Sequence, residues 1–245
     1  MTYQRFASVY DILMQDVPYD EWLNFFMRHA EGLEGKRVLD VGCGTGEFTV
    51  RLAEAQWDVT GIDLSDDMLM IAQMKASDKG LTLPLFQQDM REMEGLGEFD
   101  AVTIFCDSLN YLASEEDVVK TFHKVYDHLK PGGLFMFDVH SQYKMNHIFK
   151  DGTFTSADEE VSYIWNCFEG EEPDSVEHEL TFFAFEETAG LYERFDEVHC
   201  QRTFSEGAYQ SLLKATGFEL LQVSADFTDQ PSEETSERIF FVARK

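Results

Sequence analysis

Three acidic residues follow or end three successive apolar runs of this sequence, and together they could bind a polar, partly cationic ligand. Asp40 stands inside the run 38–41, just before a glycine-rich loop; Asp63 ends the next run, and Asp89 follows a third. If these runs are parallel strands, their carboxyl ends meet at one edge of a sheet, where open sheets bind ligands. The three carboxylates therefore predict one binding crevice.

The loop after Asp40 reads Gly42-Cys43-Gly44-Thr45-Gly46. Alternating glycines let the backbone turn tightly and approach a ligand, beside the positive N-terminus of the following helix. A dinucleotide site prefers G-x-G-x-x-G, and the third glycine here comes one residue too early for it. An acid two residues before the first glycine suits a cationic amino group better than a phosphate. A purely structural turn is the alternative explanation of the glycines.

The other two acids suit the remaining parts of a nucleoside. Asp63 can accept both hydroxyls of a ribose, although a loop aspartate that caps the next helix is the alternative. Asp89 and Met90 offer a carboxylate for an adenine amino group and a thioether for the face of the ring.

Alternating strands and amphipathic helices must position these residues. Apolar spacing predicts five β–α steps within residues 36–140, with strands at 37–41, 58–62, 83–86, 99–105 and 134–139. Ser65 and Ser114 are predicted helix caps. The pattern indicates an α/β fold, a doubly wound, mostly parallel sheet with helices on both faces.

After His140 the pattern changes to longer strands with period-two alternation and acidic turns, at 161–168, 177–185 and 191–203. A helix from Ser205 and strands at 218–223 and 238–244 end the chain. We therefore predict an inserted antiparallel β layer at 141–204, with 1–140 and 205–245 forming the core.

Composition excludes several classes of function. The 245 residues, 44% apolar, suffice for a sizeable core, and a net charge of −28 opposes nucleic-acid or membrane-surface binding. Half of that charge lies in 151–200, with 15 acidic residues and one basic residue, a net −14. The N-terminal residues do not resemble a signal peptide, and the four cysteines fit neither a zinc site nor a disulfide scaffold. We expect a cytoplasmic protein that binds no metal.

In order and spacing, the motifs of residues 36–140 resemble those of the class I S-adenosylmethionine-dependent methyltransferases. The matching segments are 38–46, 61–68, 88–90, 99–102 and 129–133. Residues 3–11 resemble the helix that closes over the cofactor, and the β insertion resembles the substrate-covering layer of glycine and amino-sugar N-methyltransferases. The resemblance implies a seven-stranded Rossmann-like sheet whose last strand is antiparallel.

The resemblance implies S-adenosylmethionine as the cofactor and assigns roles to individual residues. The glycine loop would line the methionyl part, Asp40 would anchor its amino group, Asp63 would hold the ribose, and Asp89 with the Met90 backbone would bind the adenine. The implied cofactor-binding residues are Tyr3, Tyr10, Asp40, Gly42, Cys43, Gly44, Gly46, Asp63, Leu64, Met68, Asp89, Met90 and Cys106.

The partner is expected to be a small-molecule methyl acceptor, with an amine nitrogen favoured over an oxygen. An amine must be unprotonated to attack, and a hydroxyl usually needs a general base. Candidate catalytic residues are His140, Asp107 and Tyr10. Aromatic residues of the inserted strands form core or a pocket for a cationic substrate. The alternatives are an O-methyltransferase, a non-catalytic sensor of S-adenosylmethionine and a nicotinamide dehydrogenase; the oligomeric state stays open.

Overall fold

The sequence motifs lie on the strands of a computed structural model that describes residues 9–14 and 17–245. Within these residues the strands, in chain order, are β1 (Arg37–Val41), β2 (Asp58–Asp63), β3 (Leu85–Gln87), β4 (Phe99–Ile104), β5 (Leu129–His140), β6 (Thr153–Ser156), β7 (Val161–Glu169), β8 (Ser175–Glu186), β9 (Leu191–Arg202), β10 (Glu219–Ala225) and β11 (Arg238–Arg244).

Short polar caps begin several of the helices. In the described part of the chain the α-helices are α1 (Tyr19–Ala30), α2 (Glu47–Glu54), α3 (Asp66–Asp78), α4 (Glu115–His128) and α5 (Glu206–Ala215). Ser65, Ser114 and Ser205 each accept a hydrogen bond from the amide three residues further on, at the starts of α3, α4 and α5. The caps predicted at Ser65 and Ser114 are confirmed.

Seven strands form the main sheet, in the spatial order β10-β11-β5-β4-β1-β2-β3. Strands β1 to β5 pair in parallel, whereas β11 is antiparallel to both β5 and β10. Alternate residues of each strand pack on opposite faces. Leu39 and Val102 share a cluster with α4 and α5, and Val38 and Ala101 share one with α1 and α2. The doubly wound, mostly parallel sheet is confirmed.

One predicted β–α step is wrong, because no helix joins β3 to β4. Residues 88–98 form turns and loop instead. Gly95 and Gly97 both have positive φ, which an α-helix cannot contain, and Met93 fills the core from this loop. The third strand is also displaced from the predicted 83–86.

The four strands β6-β7-β8-β9 form a second, antiparallel sheet, as expected for the region after β5. Two of its features were not predicted. Strand β6 has only four residues, too few to show an alternating pattern, and Lys144–Phe149 forms a π-helix before it. The exact division of the chain at residues 141 and 204 stays a prediction. Among the described residues, none of the helices is both long and apolar enough to span a bilayer.

Candidate active site

The glycine loop after β1 combines close packing with open space. A Cβ on Gly42 would come within 2.8 Å of the Ser108 side chain, and one on Gly46 within 2.8 Å of the Ala72 side chain. Gly44 differs, since a Cβ there would meet nothing within 4 Å. All three glycines have positive φ, which side chains disfavour. Gly42 and Gly46 therefore allow neighbouring side chains to pack closely, and Gly44 faces space that a ligand can occupy.

Asp40 is a buried carboxylate, 3% exposed, at the end of β1. It accepts hydrogen bonds from the hydroxyls of Thr49 (2.6 Å) and Thr103 (3.1 Å), and from no basic side chain in the described part of the chain. Burial raises the pKa of Asp40 to about 6, against those two hydrogen bonds. It lines a cavity together with Tyr10, Gly42, Cys43, Gly44 and Cys106. A buried acid that lacks a basic partner fits the cationic amino group of S-adenosylmethionine.

Asp63, at the end of β2, ties the glycine loop to the start of α3. Its two carboxylate oxygens accept hydrogen bonds from the amides of Gly44 and Ser65, each at 2.8 Å. Burial raises the pKa of Asp63, against these amide hydrogen bonds. Each carboxylate oxygen can accept a second hydrogen bond, so the same group can also receive ribose hydroxyls. The loop-capping role is observed, and the ribose role stays a prediction.

The expected adenine-binding pair lies beyond β3, and its acid has a partner that the sequence did not reveal. Arg91 donates to both oxygens of Asp89, at 2.9 Å from Nε and 2.6 Å from Nη2. These hydrogen bonds lower the pKa of Asp89. Met90 is half-buried against the core, and its methyl group lies 3.7 Å from the position of a Gly42 Cβ. Contact of Asp89 with adenine stays a prediction.

The remaining predicted nucleoside contacts differ in exposure. Leu64, after β2, is 66% exposed, whereas Met68 in α3 is 8% exposed. Met68 belongs to a cluster with Val9 and Phe182, to which Tyr10 also packs. The cluster thus joins α3, the N-terminal segment and the second sheet at one place.

Residues 9–14 contact the glycine loop, and the covering role expected of residues 3–11 stays a prediction. The carboxylate of Asp11 accepts hydrogen bonds from Thr45 Oγ1 (2.7 Å) and Lys75 Nζ (3.0 Å). Burial is the main cause that raises the pKa of Tyr10, so its phenol stays protonated. Tyr3 lies outside the described residues, and its predicted contact stays a prediction.

A buried ionic network, which sequence reasoning missed, joins the ends of β4, β5 and β11. Asp138, fully buried, accepts hydrogen bonds from Trp22 Nε1 (2.8 Å), the Cys106 amide (2.9 Å) and Arg238. Arg238 also donates to Asp107 Oδ1 at 3.0 Å. An acid in the middle of an apolar strand signals that a partner exists, because buried charges require pairing. The sequence does not say which basic residue that partner is.

Asp107 and His140 meet beside this network, as two of the three predicted catalytic residues. His140 Nε2 lies 3.4 Å from Asp107 Oδ2. Burial opposes ionisation of Asp107, but the nearby His140 and Arg238 outweigh it and lower the pKa of this carboxyl. Burial lowers the pKa of His140 despite the attraction of Asp107. The pair is therefore an ionised carboxylate beside a neutral imidazole at neutral pH.

The backbone at Cys106 and Asp107 is held in an uncommon conformation. Both residues have left-handed φ, of 54° and 55°, which is rare for residues other than glycine. Asp138 holds both amides through its two oxygens, at 2.9 Å and 3.2 Å. The network thus fixes the turn that presents Cys106 to the cavity and Asp107 to His140.

The second sheet reaches this site through a chain of side-chain hydrogen bonds. Gln201 Nε2 donates to Asp107 Oδ2 at 2.9 Å, and its Oε1 lies 3.2 Å from His178 Nε2. Trp165 donates to His178 Nδ1, so the proton of His178 is on Nε2 and points to Gln201. Burial is the main cause that lowers the pKa of His178 to about 4, so the ring is neutral.

Among the described residues, no group of three His, Cys, Asp or Glu side chains could hold a metal.

Comparison with known proteins agrees with this architecture. Residues 38–133 match the family model of the methyltransferase domain. A protein of Geobacillus sp. (strain WCH70), whose name provisionally calls it a methyltransferase, is 55% identical over 248 residues, covering 100% of both chains. The crystal structure of an S-adenosylmethionine-dependent methyltransferase from Clostridium acetobutylicum ATCC 824 is 33% identical, with a TM-score of 0.89, covering 99% of this chain and 98% of that one.

The fold and these similarities thus define an enzyme of the class I methyltransferase type. The chain belongs to the S-adenosylmethionine-dependent methyltransferases and uses S-adenosylmethionine as its cofactor.

More distant relatives methylate different atoms. A glycine/sarcosine N-methyltransferase of Aphanothece halophytica is 29% identical over 223 residues, covering 90% of this chain and 80% of its own length. A ubiquinone biosynthesis O-methyltransferase of Erwinia tasmaniensis is 34% identical over 117 residues, covering 47% of this chain and 46% of its own. The first similarity extends through most of the second sheet, and the second spans about half of each chain.

Proposed function

We propose that this enzyme transfers the methyl group of S-adenosylmethionine to an amine nitrogen of a small molecule. The observation that carries the proposal is the second sheet, which reaches Asp107 through Gln201 and is strongly acidic. A cover of this kind favours a small acceptor, and its charge favours a cationic one. The similarity to the glycine/sarcosine N-methyltransferase, over 90% of this chain, also supports an amine.

In this proposal one set of residues binds the cofactor, and another set orients the acceptor and takes up its proton. S-adenosylmethionine supplies an electrophilic methyl group on a sulfonium, whose transfer is an in-line displacement that depends on proximity and orientation. The glycine loop, Asp40 and Asp63 would bind and orient it, and residues 9–14 with Tyr10 would exclude water. The neutral imidazole of His140, held by Asp107, would orient the acceptor or take up the proton that an amine releases.

Methylation of an oxygen is the alternative, since the O-methyltransferase relative matches about half of this chain. A hydroxyl makes a stronger demand on a general base than a neutral amine does, and His140 could serve. A screen of a metabolite extract with radiolabelled S-adenosylmethionine, followed by mass spectrometry of the product, tests the proposal. An N-methyl product supports it and an O-methyl product contradicts it. Tight cofactor binding without transfer would indicate a sensor.

Replacing His140 with glutamine should leave S-adenosylmethionine affinity within about twofold but lower kcat by about 10²–10⁴-fold, the usual contribution of acid–base catalysis. The pKa of His140 lies below its ordinary value of 6.5, so kcat of the wild type should decrease with falling pH only below pH 6.5. This decrease should be absent from the variant. Calorimetry and initial rates measure the two effects. His147→Gln, at an exposed position of the π-helix, is the control. Equal loss of affinity and rate would make the role of His140 structural.

We also propose a cytoplasmic location and no nucleic-acid partner. The support is the spacing of the cysteines, which remain unpaired at all four positions, together with the net charge of −28.

A further inference from the structure

The inward face of β9 carries a buried carboxylate, that of Glu197. Alternate residues of a strand share a face, so Phe195, Glu197 and Gln201 all face the main body of the protein. Phe195 packs in the cluster that contains Met68, and Gln201 donates to Asp107. Glu197 therefore lies between the cluster near the cofactor segment and the catalytic pair.

One carboxylate oxygen of Glu197 lacks the partner that a buried charge ordinarily has. It is 6% exposed, and within the described residues its Oε1 is fully buried and has no hydrogen-bond partner. Its cross-strand neighbour is Leu180, which in turn pairs with Trp165. The other buried acids, Asp40, Asp100 and Asp138, accept hydrogen bonds from hydroxyl groups, from an ammonium group or from a guanidinium. A buried carboxylate without a partner is costly for folding, so its presence points to a partner that a ligand supplies.

The position of Glu197 separates it from the proton-handling pair. Four residues along a strand correspond to about 13 Å, so its backbone is that far from Gln201, which contacts Asp107. The reacting amine must be unprotonated, whereas a group that neutralises a carboxylate must be charged. One nitrogen cannot satisfy both conditions at once. Glu197 is therefore suited to a second group of the acceptor, away from the nitrogen that is methylated.

We propose that Glu197 binds a cationic group of the methyl acceptor, so that the acceptor is a small molecule with a positive charge besides the reacting nitrogen. The inference rests on the proposed function and names its substrate class. Tyr163 and Trp165, half-buried on the same inward face, provide aromatic rings that can add cation–π attraction. An ammonium group supplies both the charge and the N–H donors that Glu197 Oε1 lacks.

The test compares Glu197→Gln with Glu179→Gln, which removes the same charge from an exposed position on the opposite face of β8. The probe is a bacterial metabolite extract, separated by cation exchange into retained and unretained fractions with a salt wash that elutes molecules carrying a single positive charge into the unretained fraction, and incubated with radiolabelled S-adenosylmethionine. Wild type and Glu179→Gln should label the retained fraction equally. Glu197→Gln should label it at least tenfold less, with unchanged cofactor affinity and an unchanged or higher Tm. Glu197→Asp, which keeps the charge, should label it more than Glu197→Gln does.

Each other result counts against the inference. Full labelling by Glu197→Gln, or labelling confined to the unretained fraction, would overturn the role of Glu197 and leave methyl transfer to a small molecule intact. No labelling of either fraction by wild type that binds the cofactor would overturn the proposed function, and the role of Glu197 with it. A Tm of Glu197→Gln well below that of Glu179→Gln would show that Glu197 is a structural residue.

Discussion

Replacing Arg238 with methionine is expected to lower the free energy of unfolding by about 3–5 kcal/mol, the usual cost of removing one partner of a buried ion pair. Arg238 donates to both Asp107 and Asp138, and Asp138 is fully buried. Without the guanidinium, two carboxylates stay in the interior with only neutral donors and the neutral imidazole of His140. Methionine fills much of the same volume, so the loss comes from charge rather than from a cavity.

Urea unfolding followed by circular dichroism measures the effect. Arg244→Met, on the same strand and half-exposed, should change stability by no more than about 0.5 kcal/mol. The pKa of Asp107 is lowered in the folded state, so its stabilisation is present above its ordinary value of 3.8 and is lost as pH falls. The difference between wild type and Arg238→Met should therefore shrink below about pH 4. Equal stability of the Arg238 and Arg244 variants at pH 7 would contradict the network.

The main sheet could be predicted because its signals are local. Buried parallel strands give short apolar runs, and the helices between them give a 3.6-residue period and serine caps, as at Ser65 and Ser114. The connection from β3 to β4 gave the wrong expectation because an apolar residue such as Met93 fills the core equally well from a loop. The four residues of β6 are strand only because β7 pairs with them.

The distinction between local signals and long-range contacts also applies to the candidate site. Gly42, Gly44, Asp40 and Asp63 lie close in sequence to the turns that they build, so spacing alone brings them together. The contacts that complete the site join distant parts of the chain.

Arg238 reaches Asp138 across 100 residues, and Gln201 reaches Asp107 across 94. The sequence reveals a need for a partner, through an acid in an apolar strand, but not the identity of that partner. Asp89 is a different case, because its ion pair joins it to Arg91, only two residues further on, and the sequence gives no sign of it.

Replacing Asp63 with alanine is expected to weaken S-adenosylmethionine binding by about 1.5–3 kcal/mol, the typical contribution of a hydrogen bond to a charged group. Two causes must be separated, because Asp63 also accepts a hydrogen bond from the Gly44 amide and so holds the glycine loop. Loss of ribose contacts affects only ligands that carry the hydroxyls. Loss of the loop tether affects every ligand that uses the loop.

Calorimetry with S-adenosylhomocysteine and its 2′,3′-dideoxy analogue separates these causes as a double-variant cycle. If Asp63 binds the ribose, wild type should prefer the hydroxylated ligand by about 1.5–3 kcal/mol, and Asp63→Ala should bind both ligands alike. Asp66→Ala removes the same charge from an exposed position three residues further on and should leave both affinities unchanged. An equal loss for the two ligands would assign Asp63 to the loop alone, and unchanged affinity for both would remove it from the cofactor site. The ribose assignment thus depends on the difference between two ligands, which a damaged loop cannot imitate.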